Sequence, residues 1–428
     1  MIENLNIEEF NEFTKNNIEG TFFQSSYWGD LKEVTGWKSH IVGIKENNEI
    51  KGASLLLAKK IPILNRYIFY APRGFILDYN DTNFLRNFVE EIKKYVKKNK
   101  GIFIKINPYV EYQERDTNGD IVEGGYNNQK IVDELVNLGF IHNGFTITYG
   151  KDLEPRWISV LDLIGQNEET ILANMRSTTR WAINNSYKHG LKLVEIDEDR
   201  LIEFKKLMEH TGERRGFIDR TIEYYKQMHR VFKDNIKILL VEIDIDEYIN
   251  NLNNQRQENL LSQAEAKSKP DSAKAKRMLK ELQSQLESLE KRIEDLKETK
   301  EGQGSNLVVA GGLFMTFGNQ VVSLFGASYK QYMKYNGQYF LNFKMIKYAL
   351  NNGYDKYNFY GITGEFNEDS ENYGLFDFKR GFGAKVVELI GEFTLITRPI
   401  SYKMYNLMFK VYRKLKRMRG KKNENRNS

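Results

Sequence analysis

The sequence predicts an α/β (α+β) protein in which one module is built twice, with an antiparallel helical hairpin inserted into the second copy. Three observations carry this reading. The order strand, strand, strand, helix, strand occurs in each half, with little identity between the halves. In the first half a short polar turn joins the first two strands, whereas about sixty residues, Asp244 to Ser305, stand at the equivalent place in the second. That insert has no strand signal and carries a heptad seam.

In the first copy, residues 1–20 read as a short helix. Ser25 or Ser26 then caps a helix carrying Trp28, Leu31 and Lys32. His40–Ile44 and Lys51–Lys59 are strands joined by the turn Glu46-Asn47-Asn48-Glu49, and Tyr67–Tyr70 is a third. Phe84–Lys97 has Phe88, Ile92 and Tyr95 at helical spacing. Ile102–Ile106 is an apolar strand ending at Asn107-Pro108, Ile131–Leu138 is helical, and Phe145–Tyr149 leads out of the module.

In the second copy, Ile171–Asn184, Glu198–Gly212 and Thr221–Phe232 are expected to be helical, followed by the strand Ile238–Ile243. Leu307–Met315 and Val321–Ala327 match the second and third strands of the first copy, Phe340–Leu350 its helix and Tyr357–Tyr360 its last strand. Within the insert, Ile245, Ile249, Leu252, Arg256 and Gln263 share one helical face, and Pro270 breaks the helix. Leu279, Leu282, Leu286, Leu289, Ile293 and Leu296 then alternate spacings of three and four. The expected boundaries are 1–152 for the first module, 153–395 for the second and 244–305 for the arm. A basic amphipathic helix within 396–428, striped by Met404, Leu407, Val411, Leu415 and Met418, is expected to pack on the first module.

Composition narrows the chemistry. With no cysteine, disulfides, thiol catalysis and cysteine-type metal sites are excluded. The five histidines are scattered without metal-ligand spacing. There is no GxxxxGK[ST] phosphate loop and no GxSxG nucleophile elbow, and Gly302-Gln303-Gly304 lacks the third glycine of a dinucleotide fingerprint. The start MIENLNIEEF shows no signal-peptide pattern and no apolar run is long enough to span a bilayer, so a cytoplasmic location is expected. The net charge is +6, but ten Lys or Arg and one Glu lie between Ser401 and Ser428. Phosphate-bearing partners or an anionic membrane surface fit that excess.

The candidate working stretch is Asn358 to Gly383, an aromatic strand, a Gly-rich acidic loop, and a closing segment containing Phe378-Lys379-Arg380. The acidic middle, Glu365 to Glu371, reads as a solvated loop. Lys32, following Tyr27-Trp28, and the group Arg214, Arg215 and Arg220, followed by Tyr224 and Tyr225, are residues suited to a diphosphate. Arg176, Arg180 and Lys188 form a further cationic group on a predicted helix, where RNA phosphates or plain solvent are alternative neighbours.

Several segments in order carry a resemblance to the FemABX peptidyltransferases. They are Tyr70-Ala71-Pro72-Arg73-Gly74, Ile106-Asn107-Pro108-Tyr109, Asn137-Leu138-Gly139-Phe140, Ser159-Val160-Leu161-Asp162-Leu163, Tyr357-Asn358-Phe359-Tyr360-Gly361 and Phe378-Lys379-Arg380-Gly381. The resemblance spans nearly the whole chain and is nearest to FemA-like members with a helical arm. It implies two GNAT-like acyltransferase modules and aminoacyl transfer from aminoacyl-tRNA to the stem-peptide amine of a peptidoglycan precursor, building the interpeptide bridge with glycine, serine or alanine. By motif position it gives Lys32 and Arg220 the precursor diphosphate, sets Tyr224 beside them, and ties Phe378 and Lys379 to transfer. No cofactor or metal is implied, aminoacyl-tRNA being the co-substrate. Lipid II or a UDP-linked muropeptide, the inner membrane leaflet, and a homo- or hetero-oligomeric partner are the expected contacts. Some relatives have Asp at the position of Asn107, and a site tyrosine of one falls near Leu324; neither role carries over. Two other readings stand beside this one. One is a CoA-dependent N-acyltransferase, although Lys385 sits where its phosphate loop wants Gly or Ala. The other is a non-catalytic RNA- or membrane-associated scaffold.

Overall fold

Two mixed sheets, each completed by a strand from the other half of the chain, form the frame of the protein. The computed structural model describes residues 1–61, 63–150, 152–268 and 272–410. The first sheet runs in the order Glu3–Asn4, Trp37–Glu46, Glu49–Ile61, Arg66–Ala71, Gly101–Ile106, Phe393–Ile396, Phe140–His142. The second runs Glu111–Gln113, Lys385–Leu389, Trp157–Asp162, Lys356–Ile362, Gln320–Ser328, Asn306–Phe317, Ile236–Asp244, Leu191–Glu195.

Both copies share the predicted plan. Antiparallel strands lead to one parallel pair, Arg66–Ala71 with Gly101–Ile106 and Gln320–Ser328 with Lys356–Ile362. A parallel pair needs a crossover, and the helices Thr82–Lys98 and Gly337–Asn351 supply it. The first is capped by Asp81, whose side chain accepts from Phe84 N, and buries Leu85, Phe88, Ile92 and Val96. The predicted hairpin turn is present, with Asn47 and Asn48 both at positive φ (50° and 67°), the geometry that matches strand twist in a two-residue loop. This is the α/β architecture of two GNAT-like modules.

Strand pairing runs across the boundary expected at 395. Phe393–Ile396 pairs with Gly101–Ile106 on one side and with Phe140–His142 on the other, inside the first sheet. Reciprocally, Glu111–Gln113 of the first module pairs with Lys385–Leu389 at the edge of the second sheet. Local periodicity cannot reveal this, because a strand's pattern reports that one face is buried and not which sheet buries it. Helix 171–184 also differs from expectation. It is two helices, Glu168–Asn174 and Ser177–Tyr187, parted where Met175 and Arg176 are extended.

The insert is a pair of long helices, Ile245–Ser268 and Ala273–Gln303, packed antiparallel. Leu286, Leu289, Ile293 and Leu296 are buried along the seam, while Leu279 and Leu282 nearer the tip are half-buried. The predicted break at Pro270 lies outside the described residues. Two polar residues, Asn259 and Gln263, are buried between the helices, and Asn259 donates to the Leu282 carbonyl at 3.1 Å. Such a buried polar contact favours one register of a coiled coil over its slips.

One core crosses between the modules. It joins Phe22, Trp28 and Leu55 of the first to Phe204, Tyr225 and Leu313 of the second. A buried ionic junction closes another part of the interface: Glu388 accepts from Arg115 of the first module and from Arg156 of its own. Glu388→Ala leaves two desolvated guanidiniums facing each other. It is expected to lower unfolding stability by about 3–5 kcal/mol, measured by urea denaturation.

Candidate functional site

The helix Ser26–Glu33 begins where the Ser25 hydroxyl accepts from Trp28 N at 3.2 Å. One further turn along, the Lys32 ammonium sits 4.2 Å over the Trp28 indole. Helix Ile222–Phe232 packs against this helix, with Tyr27 and Phe232 ring centroids 5.9 Å apart. Thr221 caps that second helix, its hydroxyl accepting from Tyr224 N, and Arg220 immediately precedes the cap. The Arg220 guanidinium lies 5.6 Å from the Tyr224 ring centre. Lys32, Arg220 and Tyr224, far apart in sequence, are therefore neighbours. Burial holds the Lys32 ammonium below its ordinary range; Glu154 opposes that shift and Arg220 adds to it. Burial likewise pushes the Tyr224 phenol up to about 12.

Glu154 is the residue that sequence reasoning missed. Its carboxylate accepts from the Tyr360 hydroxyl at 2.5 Å. Burial raises its pKa, against the opposing pull of Arg73, of the Tyr360 hydrogen bond, and of Lys32 and Arg220. It is the counter-charge to three cations. No local motif marks it, since it lies in the irregular stretch between Phe140–His142 and Trp157–Asp162. The weak signal available was electrostatic: cations gathered at one site, Arg73 among them buried, call for an anion nearby.

Arg73 belongs to the same group. It sits at φ +61° in the turn after Arg66–Ala71, donates to the Pro155 carbonyl at 3.0 Å, and faces the rings of Phe23, Tyr109 and Tyr360. Asn107 holds that turn by accepting from Arg73 N at 2.9 Å and from the Tyr70 hydroxyl at 3.1 Å. Leu324 packs against the shared core.

Tyr360 connects this cluster to Lys379. The register between Lys356–Ile362 and Trp157–Asp162 shifts between Asn358 and Tyr360, and Tyr360 stands at φ +64°. The Asn358 side chain stabilises the bulge by accepting from Tyr360 N at 2.8 Å. Bulges of this kind re-aim side chains beside functional sites. Here the phenol reaches Glu154, while the main-chain carbonyls of Tyr360 and Gly361 accept from the Lys379 ammonium at 3.2 and 2.7 Å.

Phe378 and Lys379 do not close a loop, as the composition of the stretch suggested. They lie on the helix Tyr373–Arg380. Its amphipathic pattern was hidden by the Gly-rich, polar residues before it. Phe378 packs on Tyr339 and Phe382, with centroids 4.9 and 5.3 Å away. Lys379 is 6% exposed, and burial pushes its pKa down to about 7. Beside Tyr339, an open groove of about 510 Å³ is lined by Ser177, Thr178, Trp181 and Asn336. The cationic group Arg176 and Arg180 is engaged internally. Arg176 donates to both oxygens of the Asp377 carboxylate, and Arg180 donates to carbonyls at the end of the preceding helix.

Comparison with known proteins gives a consistent result. A sequence profile described as the FemAB family matches residues 5–410. The chain is 34% identical over 423 residues to the aminoacyltransferase FemA of Staphylococcus epidermidis RP62A, covering 97% of this chain and 99% of that protein. It is 35% identical over 414 residues to the aminoacyltransferase FemA of Staphylococcus aureus N315, covering 95% and 98%. Among solved structures, a crystal structure of FemX superposes with a TM-score of 0.79 at 27% identity, covering 94% of this chain and 99% of that one.

A lysine with a folded pKa near 7 instead of 10.5 binds fewer protons folded than unfolded between those values. Stability therefore rises with pH from about 7 to 10.5 on its account, and its penalty is complete below 7. Lys379→Met removes this dependence. The wild type is expected to gain on the variant by more than about 1.4 kcal/mol, the worth of one pKa unit, between pH 7 and 10 in urea melts.

Proposed function

Because the chain belongs to the FemAB family and is an aminoacyltransferase of peptidoglycan bridge synthesis, we propose that Lys32, Arg220 and Tyr224 hold the diphosphate of a lipid-linked precursor. In the same reading, Phe378 and Lys379 serve aminoacyl transfer from tRNA. The observation that supports it most is the run from Lys32, which feels the charge of Glu154, through the Glu154–Tyr360 hydrogen bond to Lys379. It joins a cationic end suited to a diphosphate to a buried ammonium suited to an ester.

The reaction is aminolysis. The neutral stem-peptide amine attacks the ester carbonyl of aminoacyl-tRNA, a C–N bond forms and the ester C–O bond breaks. The amine's proton leaves with the ribose hydroxyl of the tRNA. The ester is already activated, so positioning and charge stabilisation supply much of the rate. Lys379 steadies the tRNA terminus or the developing oxyanion. The exposed Trp181 indole in the adjoining groove is a surface on which a terminal base can stack. A basic, apolar-striped C-terminal segment favours the lipid-linked precursor and a peripheral contact with the membrane. No helix among the described residues is long and apolar enough to cross one.

Transfer assayed with charged tRNA and lipid-linked precursor, read by mass spectrometry, tests the roles. Lys379→Ala is expected to lower single-turnover transfer at least about a hundredfold, the loss typical of one preorganised electrostatic group, with the fold retained by circular dichroism. Normal turnover in that variant would sink its assignment. Lys32→Ala and Arg220→Ala should each weaken precursor binding about tenfold or more, as expected for a charged hydrogen bond lost. Glu154→Gln should act in the opposite direction, tightening the same binding several-fold by removing a like charge from beside the diphosphate. Titration of precursor affinity in all three variants checks the sign of each effect.

A further inference from the structure

Three stretches remote in sequence meet on the outer side of the first module: 59–68, 95–104 and 393–410. None of them contains an Asp or Glu. The first is the turn between Glu49–Ile61 and Arg66–Ala71, the second joins helix Thr82–Lys98 to strand Gly101–Ile106, and the third runs from strand Phe393–Ile396 into a helix at 399–410. They are held together by contacts that do not involve the candidate site. Tyr402 and Tyr405 pack on Phe103 with centroids 5.3 and 5.5 Å away, in one apolar cluster with Ile61, Leu64 and Ile102. Arg398 donates to the Lys97 carbonyl at 2.9 Å, fixing the start of the helix to the end of Thr82–Lys98.

The outward surface of this assembly has two properties. Large apolar side chains project from it with nothing packed over them among the described residues: Ile63 is 81% exposed, Ile400 78% and Leu407 65%. Lysines stand around them, namely Lys60, Lys97, Lys98, Lys100, Lys403 and Lys410. All are exposed, and none makes an ion pair among the described residues. Apolar side chains amid cations that make no ion pair among the described residues, on three stretches without a carboxylate of their own, match a lipid interface whose head groups are anionic.

The patch also adjoins the candidate diphosphate site. Lys59, at its edge, donates to the Thr35 carbonyl, just past the end of the helix that carries Lys32. Between them Val34 is exposed. A diphosphate attached to a membrane lipid lies at the head-group level. A protein resting on this face therefore brings the Lys32 helix to the depth at which such a group is found.

We propose that this face docks on an anionic leaflet and sets the height at which a lipid-borne diphosphate meets Lys32, a proposal that rests on the precursor role given above to Lys32 and Arg220. Flotation of the full chain with phosphatidylcholine vesicles, with and without phosphatidylglycerol, tests the docking without any assay of activity. The wild type should float with the anionic vesicles and be released by high salt. Lys97→Glu/Lys98→Glu/Lys100→Glu should lower the partition coefficient at least about a hundredfold, since each lysine near such a surface contributes about a factor of five. Ile63→Asp/Leu407→Asp should lower it as well, which a purely ionic attraction would not explain. In transfer assays both variants should lose activity toward precursor embedded in vesicles and keep wild-type activity toward water-soluble UDP-linked precursor. Wild-type protein that does not float, variants that float normally, or lysine variants that lose tRNA binding while keeping vesicle binding would each overturn the proposal. Failure of the transfer reading itself is separable: the wild type would then act on neither precursor form while floating as expected.

Discussion

The reciprocal strand exchange is the constraint on which the rest of the structure depends. Each sheet takes a strand from the other module, Phe393–Ile396 beside Gly101–Ile106 in one direction and Glu111–Gln113 beside Lys385–Leu389 in the other. Main-chain hydrogen bonds that would otherwise be unpaired along two strand edges are thereby satisfied, and neither module can complete its sheet alone. The modules are consequently held in one relation by backbone pairing as well as by a shared apolar core. A site assembled from both, with Lys32 and Arg73 from one and Arg220, Tyr360 and Lys379 from the other, can then keep its geometry without a ligand present.

Within that frame the electrostatics divide the site into two ends. At one, three cations gather around a single carboxylate, so the unliganded protein carries an excess of positive charge where a diphosphate is proposed to bind. At the other, Lys379 is desolvated against two carbonyl groups and pairs with no carboxylate among the described residues, which leaves its ammonium only weakly favoured near neutral pH. Tyr360 belongs to both ends through different atoms, its phenol on Glu154 and its carbonyl on Lys379. That double role needs a backbone departure from regular strand geometry. The bulge after Asn358 and the positive φ of Tyr360 provide it, at a strain of about 1–3 kcal/mol that the surrounding hydrogen bonds must offset.

Much of the fold was legible from periodicity. The amphipathic crossover helix Thr82–Lys98, the Asn47-Asn48 hairpin and the heptad seam of the arm each leave a pattern within a short window, because side-chain type and spacing specify each of them locally. The helix Tyr373–Arg380 left no such mark, being short and preceded by glycines and carboxylates. The arginines of the Ser177–Tyr187 region were open in sequence between RNA phosphates and plain solvent. Folded, Arg176 is bound to Asp377 and Arg180 to carbonyls at a helix end.

What the sequence determined by itself was the doubled α/β module, the inserted arm, and the set of cations and aromatic residues from which the candidate site is drawn. These follow from side-chain type and spacing, which act over a few residues. Only the tertiary structure decided which sheet receives Phe393–Ile396, that Glu154 is the anion among Lys32, Arg73 and Arg220, and that acid-free stretches from three parts of the chain form one face. Strand pairing, desolvation and the summing of charge depend on distances between residues far apart in the chain, and those distances exist only once it has folded.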